Sequence, residues 1–151
     1  MVKEIKGDLL AADVDVICHQ VNCQGKMNSG IAKSIREKYP QVYHDYCLIC
    51  ATTEPEKLLG QTQPVFVNDD KFIVVNMFSQ LNYGYDGRRY TSYDAMWSCL
   101  NRINAYIPKD KKIGFPARIG CVRGGANWNI VKKMIEEVFA EREVYIYDLG
   151  V

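Results

Sequence analysis

The sequence predicts an α/β protein: a three-layer α/β/α fold with a central mixed, mostly parallel sheet between helices. Three observations carry this. The segments read in the order strand, strand, helix, helix, strand, strand, helix, strand, helix, strand. Residues 14–19 hold β-branched residues closely enough to read as a strand buried on both faces. Glycine-bearing polar loops leave apolar strands and lead into helices, as in open α/β sheets whose ligands bind beyond the carboxyl ends of strands. A chain of 151 residues fits one domain, residues 1–151, long enough to bury roughly two-thirds of its unfolded surface.

Val2–Lys6 alternates and reads as the first strand, ending at Gly7-Asp8, and residues 14–19 form the second. A helix starts at Gly30 with Ile31, Ile35 and Tyr39 at helical spacing, and Pro40 stops it. A second helix spans about residues 41–51, and residues 52–60 are polar and loop-like. Residues 63–67 and 72–78 read as strands joined by a hairpin-like turn at Asn68-Asp69-Asp70. Residues 79–91 are then a long loop, a length that in compact domains often serves function. Thr91 or Ser92 caps a helix to about residue 105, with Met96, Leu100 and Ile103 on its apolar face. Residues 112–116 are a short buried strand, 117–127 a second glycine-bearing loop, 128–139 a helix and 144–149 the last strand.

Composition sets bounds on function. Apolar residues at 48% and charged residues at 25% are ordinary globular values. A net charge of +1 gives no electrostatic case for wholesale nucleic-acid or membrane binding. The start, MVKEIKGDLL, lacks the apolar core of a signal peptide, and no run reaches membrane-spanning length, so a cytoplasmic protein is expected. In that compartment the six cysteines stay reduced. Cys47 and Cys50 form a CxxC behind His44, but no second ligand pair exists and the motif lies within a helix. No metal and no cofactor is expected.

The stretch VICHQVNCQGKMNSGIAKSI, residues 16–35, organises the chain. Val16, Ile17 and Cys18 end a strand, while Ile31, Ala32 and Ile35 begin the buried face of a helix. Between them runs a loop too polar and too glycine-rich for either element. A loop that delivers the chain into a helix start exposes unpaired backbone N–H groups, which favour phosphate or another anion. The spacing matches neither GxGxxG nor GxxxxGKS, because Gly25 and Gly30 stand alone and Ile31 follows Gly30.

Taken together, GDLL, CHQVNCQGKMNSGIAKSI, PARIGC and NWNIVKKMIEEVF resemble a macrodomain, over essentially the whole chain. The branch is similar to that of the terminal ADP-ribose protein glycohydrolase and the ADP-ribose-1''-phosphate phosphatases. The resemblance implies binding of ADP-ribose, with Asp8, beside Leu9, accepting from the adenine amino group. It implies that Asn22 bonds the distal ribose, where an amide can donate and accept at a diol. Ser29, Gly30 and Ile31, entered through Met27, match the helix start that receives a phosphate. Ile119, Gly120, Cys121 and Val122 match the opposing loop that clamps the diphosphate and distal ribose, and Arg118 matches an anchor for that loop.

The departures bear on chemistry. The glycohydrolase's lysine and aspartate fall at Ser79 and Gly124 here, which leaves a Schiff-base route without its nucleophile. Hydrolysis of an ADP-ribose derivative, the 1''-phosphate or an acylated or terminal form, would then use water as the attacking group. His19, Ser79, Asp86 and Arg88 are the candidates, with His19 or Asp86 as acid or base and Arg88 or Arg89 on a terminal phosphate. The alternative is a non-catalytic reader of ADP-ribose, free or on a modified target. A weaker third reading has Tyr83, Tyr85 and Tyr90 stacking the bases of single-stranded RNA.

Overall fold

The computed structural model describes residues 1–150. Its centre is a six-stranded sheet of β1 (Val2–Lys6), β2 (Val16–Asn22), β3 (Thr62–Val67), β4 (Phe72–Gln80), β5 (Ile113–Pro116) and β6 (Val144–Asp148). The spatial order is β1-β6-β5-β2-β4-β3, and every neighbouring pair is parallel except β3 with β4. That antiparallel pair closes through Asn68, Asp69 and Asp70, all at positive φ, a conformation that short polar side chains tolerate. The helices are α1 (Gly30–Lys38), α2 (Pro40–Thr52), α3 (Pro55–Leu58), α4 (Tyr93–Tyr106) and α5 (Trp128–Val138).

Strand alternation divides the core in two. Val16 and Cys18 of β2, with Val75 and Met77 of β4, face Met96, Leu100 and Ile103 of α4 and Val131 and Ile135 of α5. Ile17 and Val21, with Val74 and Phe78, face Ile35 of α1 and Val42 and Tyr46 of α2. The sheet is therefore covered on both faces, which is why its central strands are nearly all apolar. The predicted α/β/α layering is the observed one.

The structure corrects several boundaries. β2 runs to Asn22 and β4 to Gln80, because pairing persists to Asn22↔Gln80 across a register shift after Val21. Ser79 and Gln80 thus belong to a strand, and the long loop starts only at Leu81. Residues 52–60 are not all loop: Pro55 at a first helical position starts the turn of α3. The Gly7-Asp8 turn continues into a 3-10 turn, Leu9–Ala11, whose Leu10 N–H bonds the Asp8 carboxylate at 2.9 Å.

Candidate functional site

Five parallel strands bring their carboxyl ends to one side of the sheet, and the loops that leave β2, β4 and β5 enclose a cavity of about 420 Å³ there. The β2 exit supplies Gln20, Asn22, Lys26 and Met27, and the α1 start supplies Ser29, Gly30 and Ile31. The β4 exit supplies Gln80, Tyr83 and Tyr85, and the β5 exit supplies Arg118, Ile119, Gly120, Val122, Arg123 and Gly124. Lys26, Arg118 and Arg123 are cations, and no carboxylate lines the wall among the described residues. The space selects for an anion.

The α1 start is built to meet one. Ser29 stands at the cap position with extended backbone, but its side chain makes no capping bond. The first-turn N–H groups are therefore left to whatever enters the cavity. Gly30 has φ +59, and a Cβ there would meet nothing within 4 Å, so the residue is glycine for its backbone angle and the open space beside it.

Asn22 is held by the chain itself. Its amide nitrogen donates to Lys26 O at 2.9 Å, and its Oδ1 accepts from Gln24 N–H at 2.9 Å. The Tyr46 hydroxyl lies 2.8 Å from the same oxygen. Two partners on the oxygen and one on the nitrogen leave an N–H as the group free for a ligand, rather than the donor–acceptor pair the sequence predicts.

The far wall is locked by polar contacts. Gln20 Nε2 donates to Thr91 Oγ1 at 2.9 Å and lies 2.5 Å from Gln80 Oε1, while Ser79 Oγ donates to Gln20 Oε1 at 2.7 Å. Thr91 Oγ1 in turn donates to Gly120 O at 2.8 Å. Gly124 O accepts from Tyr90 N–H at 2.7 Å and Thr91 N–H at 3.0 Å, so the β4 and β5 exit loops form one wall. A Cβ on Gly124 would stand 2.1 Å from Thr91 Oγ1, so only glycine fits there. At the rim the Arg123 guanidinium lies over the Tyr85 ring at 4.4 Å.

Of the predicted ligand residues, Asn22, Met27, Ser29, Gly30, Ile31, Ile119, Gly120 and Val122 line the cavity, whereas Asp8, Leu9 and Cys121 do not. Leu9 is a core residue, and burial holds the Cys121 thiol up at about 11. Arg118 is paired with Asp148 through two bonds of 3.0 and 3.2 Å, which raises the guanidinium pKa and lowers that of the carboxyl.

None of the four candidates for chemistry reaches the cavity wall. His19 is fully buried on the α2 face and meets Asn76 Oδ1 at 2.6 Å, and burial holds its imidazole down at about 4. Ser79 is fully buried with its hydroxyl spent on Gln20. These two are core groups, not cleft groups, because the strands that bear them extend further than predicted. Asp86 accepts from Tyr90 O–H at 2.8 Å, which holds its carboxyl low, and pairs with the Arg88 guanidinium at 3.4 Å. Arg89 lies over Tyr93 at 4.5 Å. Among the described residues no group of three or more His, Cys, Asp or Glu is set to hold a metal ion.

Gln20, Tyr46 and Arg123 are not singled out by the sequence, Gln80 is read there only as part of the loop 79–91, and Thr91 only as a helix cap. The signal for the two glutamines is a polar residue ending an otherwise apolar strand. Tyr46 gives no signal, since its spacing from Val42 reads as helix core.

No family model matches the chain. A solved structure of a Bacteroides thetaiotaomicron protein of unknown function is 30% identical, covers 99% of this chain and 98% of its own, and superposes with TM-score 0.87. The macrodomain of Mycobacterium tuberculosis DarG is 22% identical with TM-score 0.82, over 97% of each chain. A Trypanosoma brucei macrodomain solved with ADP-ribose is 14% identical with TM-score 0.68, over 99% of this chain and 64% of that one. The ADP-ribose 1''-phosphate phosphatase of Aspergillus oryzae is 36% identical over 86 residues, 55% of this chain. The chain spans 43% of that phosphatase's length. With this sheet order and these likenesses over nearly its whole length, the chain has the fold of the macrodomains.

Proposed function

We propose that the cavity binds ADP-ribose, free or carried on a modified target. The observation that carries this reading is the uncapped α1 start facing the glycine loop of β5 across a space lined by three cations and, among the described residues, no carboxylate. In this reading the diphosphate lies on the Ser29–Gly30–Ile31 amides and against Gly120, and Asn22 donates to a distal ribose oxygen. Asp8 stays the proposed adenine partner. Six free thiols fit a reducing compartment and hence a cytoplasmic setting.

Calorimetry with ADP-ribose tests the reading. Saturable binding is expected, and Asn22→Ala and Gly30→Glu each abolish it. The glutamate adds a carboxylate where the phosphate would lie and forces a side chain onto a positive φ. Unchanged affinity in both variants would overturn the site.

A second reading, hydrolysis of an ADP-ribose derivative such as the 1''-phosphate, is favoured by the likeness to the Aspergillus phosphatase. With none of His19, Ser79, Asp86 and Arg88 on the wall, attack falls to water held between Asn22 and the β4 exit loop. Phosphate release from ADP-ribose-1''-phosphate is the assay. Binding without release leaves the chain a reader.

A further inference from the structure

We infer that Tyr46 is the positioning residue of this site, the group that presets the Asn22 loop for ligand; the inference rests on the proposed role of Asn22. Tyr46 sits on the buried face of α2, a helix that contributes nothing to the cavity wall, and is fully buried. Its ring stacks on Phe78 of β4 with centroids 5.9 Å apart. Only the hydroxyl reaches the loop. There it accepts from Lys26 N–H at 3.1 Å and lies 2.7 Å from Asn22 O and 2.8 Å from Asn22 Oδ1. One hydroxyl thus bridges the two ends of residues 22–26, which the Asn22 amide on Lys26 O also joins directly.

The bridge acts on ligand through Asn22. A phenol hydroxyl has one proton to donate, and burial raises its pKa, so it stays protonated. Donation toward the Asn22 side-chain oxygen, with Gln24 N–H on the same atom, turns that oxygen inward and the nitrogen toward the cavity. Without the hydroxyl the amide is held only by Gln24 N–H and Lys26 O, and Lys26 N–H loses a buried partner. The loop then has to be ordered by the ligand, and the ordering cost appears as lost affinity.

Tyr46→Phe removes the hydroxyl and keeps the stacked ring. It should weaken ADP-ribose binding roughly three- to tenfold, the span of one or two lost hydrogen bonds. In its amide NMR spectrum the Asn22 side chain and the Gln24 and Lys26 N–H groups should shift while α4 and α5 stay unmoved. Phe78→Leu is the packing control: it loosens the ring stack but spares the hydroxyl, and should leave affinity within about twofold of wild type. Equal losses in both variants, or unmoved Asn22, Gln24 and Lys26 resonances in Tyr46→Phe, would overturn the inference. If wild type binds no ADP-ribose, the proposed function fails, and the resonances still decide the tether. Hydrogen exchange on the unaltered protein gives a check without any variant. Lys26 N–H should exchange slowly although it lies outside every helix and strand, and fast exchange would sink the bridge.

Discussion

His19 shows how much a single buried residue can impose. Asn76 donates its amide to Gln63 at 3.0 Å, so its oxygen faces His19 and accepts from Nε2–H, while Nδ1 has no partner. Burial lowers the imidazole pKa to about 4, against an ordinary value of 6.5. Between those values the unfolded chain binds a proton that the folded chain refuses, so stability rises with pH there. It is complete above about pH 6.5 and falls by roughly 3 kcal/mol on the way down to pH 4. Urea denaturation across that window should show the fall, and His19→Gln should flatten it; an unchanged slope would show that other groups cause it. Asp148 adds a smaller effect with its own window. Its carboxyl pKa is depressed by Arg118, so its contribution is present above the ordinary carboxylate range and lost as pH falls through the lowered value. From sequence, His19 at a strand end reads equally as an acid–base group or as a core histidine. What decides is the length of the strand, and that depends on a partner about 57 residues away.

At the scale of elements, the wall between the β4 and β5 exit loops depends on Gly124. Its carbonyl takes two N–H groups, and a Cβ would stand 2.1 Å from Thr91 Oγ1 and 2.4 Å from Gly120 O. Gly124→Ala must push the loops apart and should destabilise the protein by roughly 1–3 kcal/mol, with a lower Tm and weaker ligand binding. Thr91→Ala alongside it removes the nearest obstacle and should restore part of the loss; no change in Tm for Gly124→Ala would refute the contact. The loops around this wall were legible as loops, since glycine and polar runs between apolar strands announce them. Their mutual bonding was not. Local pattern reports which residues can turn, and long-range pairing decides where strands stop, so the β2 and β4 ends were both placed too early. Asn22 and Gly30 were legible because a strand–loop–helix junction has few ways to serve its exposed amides.

Across the whole molecule, formal charge is nearly balanced, yet Lys26, Arg118 and Arg123 converge on one cavity with no lining carboxylate among the described residues. Arg118 is offset by Asp148, whereas Arg123 lies over an aromatic ring at the rim. Affinity for an anionic ligand should therefore fall as salt rises toward roughly physiological strength, and Arg123→Ala should reduce both affinity and that dependence. Salt-independent binding would deny the cavity its electrostatic character. The fold class was readable from the order of elements alone, because helices alternating with apolar strands leave few arrangements that cover both sheet faces. The concentration of charge was not readable, since it arises from two loops, after β2 and after β5, that meet only in the folded state.

The pairing of β1 with β6 has a practical consequence for handling the protein. The two strands run parallel at one edge of the sheet, Val2 beside Val144 and Lys6 beside Asp148. The amino end of the chain therefore leaves on the side opposite the cavity, and the Asp148 end leaves next to Arg118 at its mouth. Affinity tags and surface immobilisation are best placed ahead of Met1. A fusion joined after Asp148 would stand beside Arg118, a residue of the cavity wall.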